Sequence, residues 1–371
     1  MSAEEHRFIS GHQFSDSLRI EYLDPCQDKR WDSFVDNHPY GWVTHLSTWK
    51  KVLDSSFTHM KGHYLALCDS VTGAIRAGLP VYEVRSKLLG NRLVSIPFAS
   101  LTDPLVSSPD EFHVLADELM ALAMKKGISR VEIRTLYGAD LMADDRLSPV
   151  NDHTVQTIPL NINPEQVKLT FHKKCVRNRI DKALNSNLNI RKGEGERDIR
   201  ELYSVYKLMR KRVGLPPQPY TFIRSLCETL QADNKADLLL VEDKGRTVAG
   251  MLLFKYKDRV SAEIAVMNYQ DHALSPNHLL FWDAIRRSCC SGYRWFDFGR
   301  TALSNQSLVL FKSRWGATSA NASTYYTKDE AEIRCRCTEE LLVSRLLKKV
   351  CISAPDLIFT EIGRFCYRHV G

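Results

Sequence analysis

The chain has 371 residues, 44% of them hydrophobic and 26% charged. That composition is typical of soluble globular proteins and excludes collagen-like, disordered and small disulfide-stapled classes. The length suits two domains better than one, because single cores stop growing at about 250–300 residues. Lys and Arg number 51 against 44 Asp and Glu, a formal charge of +7. This excess favours an acidic substrate without proving a polyanionic partner.

The N-terminal segment carries acids where a signal peptide needs bases and has no apolar core. No window approaches the roughly 18 apolar residues of a membrane span, so no transmembrane segment and a cytoplasmic location are expected. None of the ten cysteines forms a Cys-x-x-Cys pair, and no His spacing completes a zinc site. Idle thiols in a reducing compartment, and no metal, are therefore expected.

The predicted elements of the first half begin with a turn at His38-Pro39-Tyr40-Gly41. A helix follows around Trp49, Val52 and Leu53, with Ser47 as its N-cap. Strands are predicted over 64–67, 78–85 and 92–97. An amphipathic helix over 110–126 should bury Phe112, Leu115, Leu119, Leu122 and Ala123 and stop at Gly127. A strand over 131–134 completes the half. The segment 149–164, with three prolines, reads as a linker. The second half opens with helices over 168–186, 198–213 and 222–230. It continues with a hairpin over 238–256, a strand over 259–265, a helix over 276–288 ending at Gly292, and a strand over 294–298. A strand over 312–327 is expected to close the sheet. In the tail, Leu342, Val343, Leu346, Leu347 and Val350 interleave with Arg345, Lys348 and Lys349. That pattern is a basic amphipathic helix, which packs on the body or touches an anionic membrane surface.

A hairpin with Gly in its second strand, followed by an amphipathic helix and another strand, resembles the GNAT acetyltransferase superfamily. Two such halves resemble the FemAB family of aminoacyl-tRNA-dependent transferases. The local matches are His38-Pro39-Tyr40-Gly41 with Thr44-His45 and Trp49-Lys50-Lys51-Val52, and Arg177-Asn178-Arg179-Ile180 with Ala183. Phe296-Asp297-Phe298-Gly299-Arg300 and Phe311-Lys312-Ser313-Arg314-Trp315-Gly316 are two more. Gly78-Leu79-Pro80-Val81 with Ser95-Ile96-Pro97-Phe98 looks like the FemAB-like subgroup found beside exosortase and exopolysaccharide genes. The resemblance implies an α/β (α+β) fold: two tandem GNAT-like domains, each a mixed, mostly antiparallel sheet flanked by helices. They would span 1–150 and 151–330, with a basic tail over 331–371. It also implies transfer of an aminoacyl or acyl group to an amine or hydroxyl of a cell-envelope or exopolysaccharide precursor.

An acyl-CoA enzyme of this kind cradles pyrophosphate on a Gly-rich loop at a helix N-terminus. The equivalent stretch, 269–277, has no glycine, and it holds Asp271 and Pro276. This lowers acyl-CoA as donor, and the resemblance implies aminoacyl-tRNA instead, with no bound cofactor. Lys168, Lys173, Lys174, Arg177, Arg179 and Lys182 crowd one stretch, with Val176, Ile180, Ala183 and Leu184 as the opposing buried stripe. That face could hold the phosphates of tRNA or of a nucleotide- or lipid-linked saccharide, or be merely solvated.

Direct attack by an amine needs a stabilised oxyanion and a protonated leaving group, not a nucleophilic triad. Lys312, placed by the resemblance at a substrate contact, is the first candidate and is expected at a strand start. Asp297, in an apolar frame, either orients the amine or accepts backbone N–H bonds. Arg300 is a candidate anion contact. His45 is a catalytic candidate or a helix-capping histidine, and Lys51 contacts substrate or is solvated. Competing readings are an acyl-CoA N-acyltransferase and a non-catalytic module binding anionic saccharides or nucleotides.

Overall fold

A computed structural model describes residues 17–330 and 339–370. The first half comprises β1 (Leu18–Leu23), α1 (Lys29–Asn37), α2 (Ser47–Ser56), β2 (Met60–Asp69), β3 (Ile75–Val84), β4 (Arg92–Ser95), α3 (Pro109–Lys125), β5 (Arg130–Thr135) and β6 (Leu147–Pro159). Next come α4 (Pro164–Leu169), α5 (Asn178–Leu184), β7 (Asn189–Gly193), α6 (Gly195–Val213), α7 (Tyr220–Ala232), β8 (Ala236–Asp243), β9 (Arg246–Tyr256) and β10 (Arg259–Met267). The chain ends with α8 (Pro276–Cys290), β11 (Trp295–Ala302), α9 (Gln306–Ser313), β12 (Thr318–Thr327), α10 (Glu339–Ser353) and α11 (Asp356–Tyr367).

All the strands join one twelve-stranded sheet in the order β1-β2-β3-β4-β5-β12-β6-β11-β10-β9-β8-β7. Pairing is antiparallel except for β4 with β5 and β10 with β11. Those two parallel pairs are bridged by α3 and α8, so the halves repeat one plan. Their sixth strands are exchanged: β12 lies against β5, while β6 lies against β11. The segment read as a linker is therefore mostly the central strand β6. Its prolines fit because Pro149 and Pro159 lie towards its two ends, where a missing donor disturbs the ladder least.

The helix expected over 110–126 forms as α3. Ser108 accepts the Glu111 N–H at 3.3 Å, and Phe112, Leu115, Leu119, Leu122 and Ala123 are buried. Gly127 follows in the left-handed conformation at φ +63°. At α2 the expected cap is corrected. Leu46 occupies the N-cap position and Ser47 is the first helical residue, its N–H bonded to Asp32 at 2.8 Å.

The expected helix over 168–186 is broken. α4 stops at Thr170, His172 caps a wide five-residue turn over Lys173–Arg177, and α5 follows. Val176, Ile180 and Ala183 are buried as expected, but Leu184, the last residue of α5, is half exposed. Among the described residues the tail holds two helices rather than one. Cys351, Ala354 and Phe359 are buried against each other. Leu342 and Val343 have side chains outside the described residues.

Three apolar layers hold the sheet. α3 covers one flank of the first half and α8 one flank of the second. The third layer, between the halves, joins Trp31, Trp49 and Phe57 from the first with Phe222, Phe254 and Tyr256 from the second.

Candidate active site

β10 and β11 pair only from Arg259–Trp295 to Ser261–Asp297. Beyond that point a bulge follows Ala262 in β10, and β11 shifts register on β6 between Asp297 and Arg300. Gly299, at φ +76°, makes that shift possible, since its Cβ position lies 3.3 Å from the Ala262 carbonyl oxygen. The parallel strands splay, and a cavity of about 320 Å³ opens between them. Glu263 from β10, Gly299 and Arg300 from β11, Asn277 from α8, Ser100, and Lys312 from α9 line it.

Lys312 lies in the last turn of a helix, not at a strand start. Asn305 accepts the Leu308 N–H and starts α9, and β12 begins only at Thr318. Lys312 is the one buried residue of α9, while Leu308 and Leu310 are exposed. A helix that buries its lysine and exposes its leucines departs from ordinary packing, which marks Lys312 as a candidate site residue. Its Nζ donates to the Gly299 carbonyl and to Thr301 Oγ1, each at 2.6 Å. Burial pushes the ammonium down to about 8, against the pull of Asp297 and Glu263. Two of the three ammonium hydrogens are thus placed, which leaves one for a group in the cavity.

Glu263 escaped the sequence reading. It accepts hydrogen bonds from Ser261 Oγ at 2.7 Å and Ser100 Oγ at 2.8 Å. Burial raises its pKa above the ordinary carboxylate value, which makes it the better base. The signal was present as a lone acid in the strand Ser-Ala-Glu-Ile-Ala-Val, but only the splay shows that it faces a cavity. Asn277 was missed too, and its Oδ1 is buried without a hydrogen-bond partner among the described residues.

Asp297 is fully buried behind this cavity rather than in its lining. It accepts the Gly299 N–H at 2.7 Å and pairs with Arg259 at 3.4 Å. Burial raises its pKa. Arg259 in turn bonds Tyr137 and lies over the Trp42 and Tyr137 rings, tying β10 to the first half. Arg300 does line the cavity and donates to Thr324 Oγ1 at 2.8 Å; burial lowers it to about 10.

His45 is not brought to this cavity. It is fully buried: Nδ1 accepts the Trp42 N–H at 3.1 Å, and Nε2 lies 2.9 Å from the Asp103 carbonyl oxygen. A neutral ring protonated at Nε2 satisfies both bonds, and burial pushes the pKa down to about 4. The residue therefore fixes the entry to α2 and has no ring nitrogen left for proton transfer. Lys51 is exposed on α2 and does not line the cavity.

Lys173 and Arg177 line a shallow basin of about 250 Å³ with Lys168, Glu165 and Asp181. Lys173 and Lys174 are exposed, and the Arg177 Nε is buried without an acceptor among the described residues. His278, in the first turn of α8, approaches the Cys175 carbonyl oxygen at 3.2 Å. The basic turn thus leans on the helix that borders the cavity. Within 269–277 the chain forms a short 3₁₀ turn, and Ser275 takes the left-handed conformation at φ +60° where a glycine would be favoured.

The family model described as "Acetyltransferase (GNAT) domain" matches residues 171–306, which hold most of this site. The UDP-N-acetylmuramoylpentapeptide-lysine N(6)-alanyltransferase of Weissella viridescens is 20% identical over 259 residues, covering 64% of this chain and 73% of that one. The crystal structure of FemX superposes with a TM-score of 0.67 at 12% identity, over 86% of this chain and 99% of that one. A tandem GNAT protein from the clavulanic acid biosynthesis pathway gives 0.52 at 10% identity, over 83% and 97%. L-PGS from Bacillus licheniformis gives 0.52 at 14% identity, over 87% and 97%. The family match thus places a GNAT-type acyltransferase domain over residues 171–306, the half that holds most of the cavity lining. The chain is similar to FemAB-type transferases in sequence and shares the fold of FemX and of a tandem GNAT protein over most of its length.

Proposed function

We propose that the cavity between β10 and β11 transfers an aminoacyl or acyl group from an ester or thioester donor to an amine or hydroxyl of a cell-envelope precursor. The acceptor is a peptidoglycan or exopolysaccharide intermediate carried on a nucleotide or a lipid. The observation that carries the reading is Lys312, a buried ammonium with one hydrogen uncommitted, held 2.6 Å from Gly299 O at the point where the strands splay. That hydrogen stabilises the oxyanion formed as the acceptor attacks the donor carbonyl. Glu263 takes the proton released by the attacking amine and returns it to the leaving oxygen or sulfur as the C–O or C–S bond breaks. Arg300 offsets negative charge at the cavity wall.

Lys173, Lys174 and Arg177 are assigned to the phosphates of the donor or precursor, beside the N-terminus of α8. Aminoacyl-tRNA is the preferred donor: the stretch 269–277 offers Pro276 and a Ser275 cap instead of a glycine cradle. The match to an acetyltransferase domain over the half that holds the cavity favours acyl-CoA as the second reading. The name of the Weissella relative, an alanyltransferase acting on a peptidoglycan precursor lysine, supports the acceptor class. Such work fits a cytoplasmic protein at the inner face of the membrane.

The test incubates purified protein with labelled alanyl-tRNA or acetyl-CoA and with UDP-linked or lipid-linked muramoyl pentapeptide. Label should reach the precursor and be lost with Lys312→Ala. No transfer from either donor, or transfer by Lys312→Ala at the wild-type rate, would refute the assignment.

A further inference from the structure

The turn between β3 and β4 meets the end of the tail, and the residues that line this meeting place do not line the transfer cavity. Ser86 Oγ lies 3.0 Å from His369 Nδ1, Arg92 donates to the His369 carbonyl at 3.1 Å, and Tyr367 packs on Phe98 at 5.5 Å. Between turn and tail lies an open cavity of about 690 Å³, lined by Arg85, Lys87, Arg368 and His369 together with Ser86, Gly90, Asn91 and Phe365. No carboxylate is among these described lining residues. The nearby Glu83 is taken by Arg85 at 2.7 Å and Lys126 at 3.2 Å.

The rim is apolar where an exposed turn would ordinarily be polar. Ser86 Oγ accepts the N–H groups of Leu88 at 3.3 Å and Leu89 at 2.9 Å, which fixes the turn. Leu88 is nevertheless 63% exposed and Leu89 46%. On α11, Phe365 is 56%, Leu357 85% and Ile358 54% exposed. Cations around a cavity with leucines and a phenylalanine at its edge match the two layers of a bilayer interface. Phosphates lie at headgroup depth, and acyl chains begin just below. A soluble anion would leave these apolar side chains in water with nothing to gain.

We infer that the β3–β4 turn and α11 form a docking surface for a bilayer of anionic phospholipid. Lys87 and Arg368 hold headgroup phosphates in the cavity, beside an Arg85 already paired with Glu83, while Leu88, Leu89 and Phe365 enter the interface. The surface is read by binding alone, so it stands or falls separately from the transfer chemistry.

Flotation of the full chain with vesicles tests it. Binding is expected to phosphatidylglycerol mixed into phosphatidylcholine, to be weak on phosphatidylcholine alone, and to fall as salt rises. Each cation removed should weaken partitioning about fivefold, so Lys87→Ala with Arg368→Ala should lose about 25-fold. Leu88→Ser with Leu89→Ser should weaken binding without changing its salt dependence. All these positions are exposed, and unchanged melting curves confirm that the variants fold. Equal binding to both vesicle types, no binding to either, indifference to both pairs of changes, or displacement by millimolar inorganic phosphate would each overturn the inference.

Discussion

Replacing Lys312 by Met should slow transfer severely and, over a defined pH range, make the protein relatively more stable. In the folded chain the ammonium titrates at about 8 instead of 10.5 because burial disfavours its charged form. At about 1.36 kcal/mol per pKa unit, holding it protonated in the fold costs about 3 kcal/mol. A lysine whose folded pKa lies below its unfolded value binds its proton less tightly when folded. The penalty is therefore complete below about 8 and is relieved as the pH rises towards 10.5. Methionine removes the penalty but strands the Gly299 carbonyl and Thr301 hydroxyl, at about 1–3 kcal/mol. The net effect at pH 7 should lie within about 2 kcal/mol of zero, on the stabilised side. The diagnostic quantity is the variant's stability minus the wild type's, from urea unfolding at several pH values. It should fall by about 2–3 kcal/mol between pH 7.5 and 10. Other lysines and tyrosines titrate in both proteins and cancel. A difference that stays flat across that range would refute the reasoning. In transfer assays the variant should lose about 10²–10³ in kcat, and wild-type activity should decline above about pH 8 as the ammonium is lost.

Glu263→Gln should lower kcat by about 10²–10³ and abolish the acid limb of the pH–rate profile, because the amide cannot accept a proton; an intact limb would remove Glu263 from the reaction. His45→Ala should cost about 2–4 kcal/mol of stability, from the stranded Trp42 N–H and Asp103 carbonyl, yet leave kcat per folded molecule unchanged. Because His45 titrates at about 4 when folded and 6.5 otherwise, wild-type stability should drain as the pH falls through that interval. Acid titration of the variant by circular dichroism should lack that part of the slope. Arg177→Ala should raise KM for the phosphate-bearing substrate about tenfold with kcat little changed, and lessen its salt dependence. A fall in kcat alone would instead place Arg177 at the reacting atoms.

What the sequence disclosed follows how local the determinants are. The helix α3 is legible because its apolar period and its Gly127 stop lie within twenty or so consecutive residues. The strand β6 is not, because its prolines look like loop signals until β11 and β12 are seen flanking it. The charge and period of the basic stretch over 168–186 predict one continuous helix. The break at Thr170–His172 depends on a tertiary bond from the His172 N–H to the Arg314 carbonyl at 2.8 Å. Lys312 came from family resemblance and Arg300 from its turn, and both line the cavity. Glu263 and Asn277 could not be found that way, since their value comes from two strands parting company, a property of neither strand alone. His45 illustrates the reverse: a histidine in a suggestive motif whose ring is consumed by its own backbone neighbourhood.

The exchange of sixth strands also sets the order in which the chain can be finished during synthesis. Thr135 on β5 is paired with Ser323, which lies 188 residues later (323 − 135). At ribosomal speeds of about 5–20 residues per second, that edge waits roughly 10–40 seconds for its partner. During that time the nascent first half presents an open ladder to any passing strand. β6 emerges soon after β5, but the place between them belongs to β12, so this part of the sheet closes only when the last strand is made. Slow maturation, sensitivity to chaperone supply, and dimers that trade these strands between two copies are the natural failure modes of such wiring.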